Sequence, residues 1–335
     1  MPAPHEGTCF VEVCAKRSRR RAVIAVAALA VGLPLGLLLR TFSAAPLPAP
    51  PPTTEPLPQA KPPPEMAIFV LPTGVAHRNA AFAYRGGSFF ERQDAAITVV
   101  LIKHPRGDLL LDTGFGRHID QQFQLIPRAL RAITTYERYT PAIDQLEAIG
   151  YSRRSLRAIL MTHGHWDHAS GLIDFPGTPV WVTPEERRYI ADDAYGMEIA
   201  HAATGARWEE YGFDDKPYFG FPRSRDVYGD GAIVIVPAPG HTPGSVIIFV
   251  TLPTGKRYAF VGDLVWQLEG ITQREERPWL MRRFVDADEE VLRRSLLRMI
   301  AIHERYPEID IVPAHDRRAY AGIPRLLEPG SGQPP

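Results

Sequence analysis

Residues 162–172 read Thr162-His163-Gly164-His165-Trp166-Asp167-His168-Ala169-Ser170-Gly171-Leu172. Three imidazoles and a carboxylate crowd together directly after the short apolar run 156–161, which predicts a strand whose carboxyl end carries polar chemistry. Alternate positions of an extended loop point the same way, so His163 and His165 are placed to share one metal ion. Asp167 and His168 come from the following turn and are placed to face a second ion, with Ala169-Ser170-Gly171 opening the next helix. Imidazole and carboxylate together suit zinc, and iron or manganese accept the same donors.

Working outward, further candidate ligands stand at the ends of other predicted strands. These are His241 in Pro239-Gly240-His241-Thr242-Pro243-Gly244, Asp263 in Val261-Gly262-Asp263, and His315 in Val312-Pro313-Ala314-His315-Asp316. The runs 232–236, 245–250, 258–261 and 309–312 read as strands and 288–302 as an amphipathic helix. In the first half, 97–103 and 108–111 are β-rich runs joined by Pro105-Arg106-Gly107, a hairpin that leads into Asp112-Thr113-Gly114. Helical spacing follows over 127–133 and over 142–149, the latter stopped by Gly150. Two comparable halves of mixed strands and helices predict an α/β protein, a sandwich of two sheets with helices outside.

These residues, in this order, resemble the metallo-β-lactamase superfamily over about residues 66–327. The resemblance implies an αββα four-layer sandwich around two metal ions, with His163, His165 and His241 on one zinc, Asp167, His168 and His315 on the other, and Asp263 bridging. It also implies that Asp112, in its Asp-Thr-Gly turn, supports the site from behind. The implied activity is hydrolysis by a hydroxide shared between two Zn2+, oriented by Asp167, with no serine or cysteine nucleophile. The 162–172 motif and the His-Thr-Pro-Gly at 241–244 look most similar to N-acyl-homoserine lactonase-like members, which implies an ester or lactone substrate. A zinc phosphodiesterase and a non-catalytic, metal-stabilised surface binding protein are the alternatives. Those lactonases carry a tyrosine three residues after the bridging aspartate that helps polarise the carbonyl; Trp266 stands there in this chain, offering an indole N–H.

The remainder of the chain sets limits. Lysine plus arginine balance aspartate plus glutamate at 38 each, so no basic field exists to attract nucleic acid. The only cysteines are Cys9 and Cys14, which leaves the body without a disulfide, thiolate ligand or thiol nucleophile. Residues 1–21 form a basic N-terminal segment, and the apolar run 22–39 behind Arg19, Arg20 and Arg21 reads as a transmembrane anchor or signal segment. That orientation predicts a hydrolase domain on the extracytoplasmic (periplasmic) side of the inner membrane, or exported, with the membrane a partner through the N-terminal segment. Residues 40–65 read as a proline-rich spacer, 66–327 as the folded domain and 328–335 as a flexible tail. Trp208, Tyr211, Phe213, Tyr218, Phe219 and Phe221 lie in the long segment 189–228, where they either wall an acyl pocket or form a small core under an insertion. His77, His104, His118, His201 and His303 show no pairing at ligand spacing and read as surface or structural.

Overall fold

The computed structural model describes residues 36–326 together with 30 and 32. A seven-stranded sheet has the order β4-β1-β2-β3-β5-β6-β7, built from β1 (Ala67–His77), β2 (Ala95–Lys103), β3 (Asp108–Leu111), β4 (Thr135–Arg138), β5 (Leu156–Leu160), β6 (Pro179–Val182) and β7 (Arg207–Glu210). A five-stranded sheet has the order β12-β11-β10-β9-β8, from β8 (Arg225–Asp226), β9 (Ile233–Pro237), β10 (Val246–Thr251), β11 (Arg257–Gly262) and β12 (Ile309–Pro313). The expected hairpin is β2–β3, with Val100 opposite Leu111. The longest strand, β1, escapes the alternation rule because Pro72 and Gly74 interrupt it at a bulge. A Cβ on Gly74 would lie 2.4 Å from the Phe115 ring, so only glycine admits that packing.

Alternation within each strand builds the layers. Leu109 and Leu111 face the core between the two sheets, where they meet Ile235, Ile248 and Phe260. Leu110 faces the other way with Leu101 and Val99, against helix α1 (Ala142–Ala148) through Ile143 and Leu146. On the far side, Val236, Ile247, Phe249 and Val261 pack against α4 (Glu289–Arg305) through Leu292, Leu296 and Met299. Between these helices in the chain lie α2 (Pro184–Ala191) and α3 (Trp279–Val285). α4 begins at Asp288, whose carboxylate accepts from the Glu290 and Val291 N–H groups at 3.0 Å each. The four layers are helix, sheet, sheet, helix, and truncating a fully buried residue such as Leu296 to alanine would cost about 2–5 kcal/mol.

Two expectations change here. Among the described residues no helix is long and apolar enough to cross a membrane, which overturns the transmembrane and signal-anchor reading of 22–39. Of that run only residues 30, 32 and 36–39 are described; the remainder of it, like 1–21 and 328–335, lies outside the described residues. That reading rests on an apolar run behind a basic flank, and neither fixes the length of a helix. The proline-rich stretch is extended, yet it lies along the body instead of standing off it. The Leu47 N–H donates to the Arg274 carbonyl at 2.7 Å, the Lys61 N–H to Asp230 at 2.7 Å, and Arg257 Nη2 to the Pro58 carbonyl at 2.8 Å. Leu47 and Leu57 pack on the outer core beside α4. Polyproline backbone makes no internal hydrogen bonds, so its carbonyls are open to such partners.

Candidate metal centre and cleft

Register explains why distant residues meet. β3 and β5 run parallel with Leu111 beside Leu160, so Asp112 and Thr162 leave the sheet together. β11 and β12 run parallel, with Gly262 beside Pro313, so Asp263 and His315 leave the second sheet together. β9 and β10 pair antiparallel from Pro237 and Val246, and the turn between them carries His241. All the candidate ligands therefore emerge at one end of the sandwich. The helical turn opens earlier than expected, at Trp166, and spans Trp166–Ala169.

The ligand atoms form three groups, each gathered within 4.8 Å: His163, His165 and His241; Asp167, His168 and His315; and, between them, His163, His168 and Asp263. Asp263 turns its two oxygens to different sides. Oδ2 lies 3.4 Å from His241 Nε2 and 4.0 Å from His163 Nε2, Oδ1 lies 3.3 Å from His168 Nε2, and His315 Nε2 sits against both, 3.1 Å from Oδ1 and 3.2 Å from Oδ2. His165 Nδ1 lies 2.8 Å from His241 Nε2, and His315 Nε2 lies 3.4 Å from Asp167 Oδ2.

The remote ring nitrogens settle which faces carry lone pairs. His168 Nδ1 donates to Asp112 Oδ2 at 2.8 Å, His241 Nδ1 to Asp286 Oδ1 at 2.8 Å, His315 Nδ1 to the Ala96 carbonyl at 2.9 Å, and His163 Nδ1 contacts Thr162 Oγ1 at 3.1 Å. With protons held on Nδ1, the Nε2 lone pairs of these four histidines point inward. His163 Nε2, His168 Nε2 and Asp263 Oδ1 are buried with no hydrogen-bond partner. Orphaned polar atoms of this kind carry a desolvation penalty unless something binds them, and imidazole nitrogen with carboxylate oxygen is a divalent-metal donor set. The residues present fit a metal pair.

Electrostatics favour the ligating form at two of these histidines and oppose it at His168. Burial, reinforced by neighbouring imidazoles, holds His163 and His165 well below the ordinary histidine range, which keeps them in the neutral, ligating form. Burial acts to lower His168 as well, but Asp112 and Asp263 outweigh it and raise this imidazole well above the ordinary value. Burial acts to raise Asp263, yet His315 and His168 hold its carboxyl well below the usual range.

Several supporting residues carried no mark in the sequence. Asp286 is gripped by Arg277, whose Nη1 also donates to the Asp263 carbonyl at 2.7 Å. Glu186 Oε1 accepts from the Gly164 N–H at 2.6 Å, and its Oε2 from Thr242 Oγ1 at 2.6 Å and the Gly244 N–H at 3.1 Å, so one buried carboxylate ties the His163–His165 loop to the His241 turn. A Cβ on Gly244 would fall 2.3 Å from Glu186 N, which makes glycine necessary at that crossing. Asp112 takes φ +57 and accepts from the Thr162 N–H and hydroxyl at 2.7 Å each, the geometry of a residue fixed behind the site.

Above the ligands opens a cleft of about 520 Å³ whose floor includes His165, Asp167, His241, Asp263 and His315. Its walls come from 76–79 and Phe82 on one side and Leu280, Met281, Phe284 and Val285 on the other, with Tyr195 and Thr134 at the rim. Of the two readings of the aromatics at 208–221, the core holds: Tyr211 is buried between the sheets, and Phe219 and Phe221 are buried against α4. That segment is not one long loop, because it contains a short helix, Glu198–Ala202, and two strands that pull its aromatics inward. Trp266 does line the cleft, but its indole N–H donates to Asp263 Oδ2 at 2.7 Å. The donor that the sequence offered at this position is thus engaged by a candidate ligand. His77 lines the cleft beside Asp94 at 3.0 Å, and His104 is buried, stacked on Tyr228.

Comparison with known proteins is consistent with this geometry. A probable metallo-hydrolase of Mycobacterium tuberculosis is 30% identical over 247 residues, covering 66% of this chain and 75% of that protein. The N-acyl homoserine lactonase AttM of Rhizobium radiobacter is 24% identical over 192 residues, covering 56% of this chain and 68% of its own length. A Bacillus thuringiensis AiiA variant, solved with N-decanoyl-L-homoserine bound at its active site, aligns with TM-score 0.61 at 17% identity over 81% of this chain and 99% of its own. The sequence model of the metallo-beta-lactamase superfamily matches residues 93–315, from just before β2 to the last histidine of the cluster. A hydrolase with this fold and this match over most of its length belongs to the metallo-β-lactamase superfamily.

Proposed function

We propose that the protein is a dinuclear zinc hydrolase that cleaves an ester or lactone with an apolar acyl part, an acyl-homoserine lactone being the nearest model. The observation that carries this reading is the position of Asp263 between two ligand groups, Oδ2 toward His163 and His241, Oδ1 toward His168, and His315 against both, beneath a cleft walled by Phe82, Met281 and Phe284. Two zinc ions bound there would supply a nucleophile at neutral pH and Lewis acidity at the bond under attack. The chain's own residues do the remainder. Asp286, Asp112 and the Ala96 carbonyl lock the imidazoles in their ligating tautomers, Trp266 fixes Asp263, and Asp167, on the cleft floor, is placed to orient the attacking water. The apolar walls exclude water around an acyl chain.

The test is metal content of the purified full-length chain, together with turnover of a panel of N-acyl homoserine lactones and p-nitrophenyl esters with and without chelator. Two zinc ions per chain and chelator-sensitive ester or lactone hydrolysis are expected. Faster turnover of bis(p-nitrophenyl) phosphate than of any ester would transfer the site to phosphodiesters, and failure to retain metal after reconstitution with zinc would end the proposal.

A further inference from the structure

Two arginines approach the Trp266 ring, and they differ in one respect. Arg277, its guanidinium 5.0 Å from the ring centroid, is buried and engaged at both ends, with Nη1 on the Asp263 carbonyl and Nη2 on Asp286, and only its Nε is unmatched. Arg78, 4.3 Å from the same centroid, follows directly on the end of β1 and lines the cleft, yet its Nη1 is shut off from solvent with no hydrogen-bond partner. A guanidinium is charged at any physiological pH, so a desolvated and unmatched N–H at this place carries a free-energy cost that only a partner removes.

The opposite charges acting most strongly on Arg78 are Asp167 and Asp263, and neither lies within ion-pair distance of it. Both belong to the candidate ligand set, so bound cations would neutralise the charges that now offset the guanidinium. The loaded cleft then holds a cation over the Trp266 ring, 4.3 Å from its centroid, and the anion it needs has to come from the ligand. Guanidinium stacked on an aromatic face keeps its in-plane N–H groups free, which is the geometry that takes a carboxylate with two parallel hydrogen bonds.

We propose that Arg78 is a specificity-determining residue that pairs with a carboxylate carried by the substrate in addition to its scissile bond, so that the preferred substrates are acidic esters or lactones. This rests on the hydrolase reading above and deepens it. His77, on the same wall, is committed to Asp94 and Arg92, and no other lysine or arginine lines the cleft among the described residues.

A matched pair of esters tests the idea: p-nitrophenyl hydrogen glutarate, which ends in a carboxylate, and p-nitrophenyl valerate, which ends in a methyl group at the same length. In zinc-loaded full-length protein the ratio of kcat/KM for the acidic over the neutral ester should fall at least about tenfold in Arg78→Met, with a smaller fall in Arg78→Lys, which keeps the charge and loses the fork. Metal content and melting temperature of each variant separate this from a collapsed site. Binding of monomethyl glutarate, followed by titration calorimetry, reads the same contact without turnover and should weaken at least about tenfold in Arg78→Met. An unchanged ratio, whether both esters slow together or neither does, overturns the assignment, as does unchanged monomethyl glutarate affinity. Absence of ester hydrolysis with Arg78-dependent binding would sink the hydrolase reading and leave the carboxylate site standing.

Discussion

The floor of the cleft and its walls are built on opposite principles. On the floor, four of the five histidines are held from behind by a carboxylate, a carbonyl or a hydroxyl, and the ligand atoms sit within a few ångströms of one another before any ion is added. On the walls, Phe284 is 55% exposed, and the Arg78 Nη1 has no partner. A preorganised floor serves a reaction whose charge distribution is fixed, whereas partly exposed walls gain their packing from whatever enters. Chemistry belongs to the first region and selectivity to the second.

Breaking the floor should have the largest effect. Asp263→Asn keeps the shape and removes the charge that both ligand groups share. Turnover is expected to fall about a thousandfold or more, with metal content reduced in parallel, because several kcal/mol of Lewis-acid stabilisation depend on the pair. Circular dichroism should show the fold retained. Turnover within tenfold of the native protein would mean that the two oxygens of Asp263 do not serve two ions.

The floor also carries a pH signature at Glu186. Burial pushes this carboxyl up to about 7, against the hydrogen bonds from Thr242, Gly164 and Gly244 that pull it down. Its folded pKa is above its unfolded value, so folding favours the protonated form. The associated stability is complete below the unfolded pKa, near 4.5, and is lost as pH rises through about 7. In metal-free protein, Glu186→Gln cannot ionise and should gain on the native chain by roughly 1–3 kcal/mol between pH 5 and pH 8. Denaturation curves of the two proteins that stay parallel across that range would show that Glu186 is already ionised at pH 5.

What the sequence disclosed follows the same division. His163, His165, Asp167 and His168 declare themselves because one loop supplies them all, and His241, Asp263 and His315 because each ends an apolar run. The residues behind them are another matter. Asp286, Arg277 and Glu186 are single charged residues from separate elements, brought to the site only by tertiary packing, and nothing in their local spacing distinguishes them from solvated charges. Strand β1 is hidden by Pro72 and Gly74, whose bulge breaks the period of two. The aromatics at 208–221 leave two readings open for a related reason: an aromatic cluster states that apolar surface must be covered, and does not say whether protein or ligand covers it.

Asp286 tests how far the support extends. Asp286→Asn preserves one hydrogen bond to His241 Nδ1 and removes the negative charge that Arg277 and His241 share. Zinc affinity is expected to drop about 10- to 100-fold, the usual consequence of weakening a ligand's outer partner, with maximal turnover recovering when zinc is supplied in excess. Equal affinity in the two proteins would reduce Asp286 to a structural partner of Arg277.

The smallest effect is expected on the wall. Phe284 stands on α3 at the cleft and is more than half exposed, so truncating it removes little native packing and should leave the melting temperature nearly unchanged. If the ring covers an acyl chain, Phe284→Ala loses contact with a few methylenes, each worth up to about 0.8 kcal/mol when fully buried and less on a half-open wall. The ratio of kcat/KM for a decanoyl over a butanoyl substrate should therefore fall roughly three- to tenfold, with the change in KM. Equal losses for short and long chains would place the acyl group against the opposite wall, beside Phe82, and a fall in kcat alone would show that α3 reaches the reacting centre.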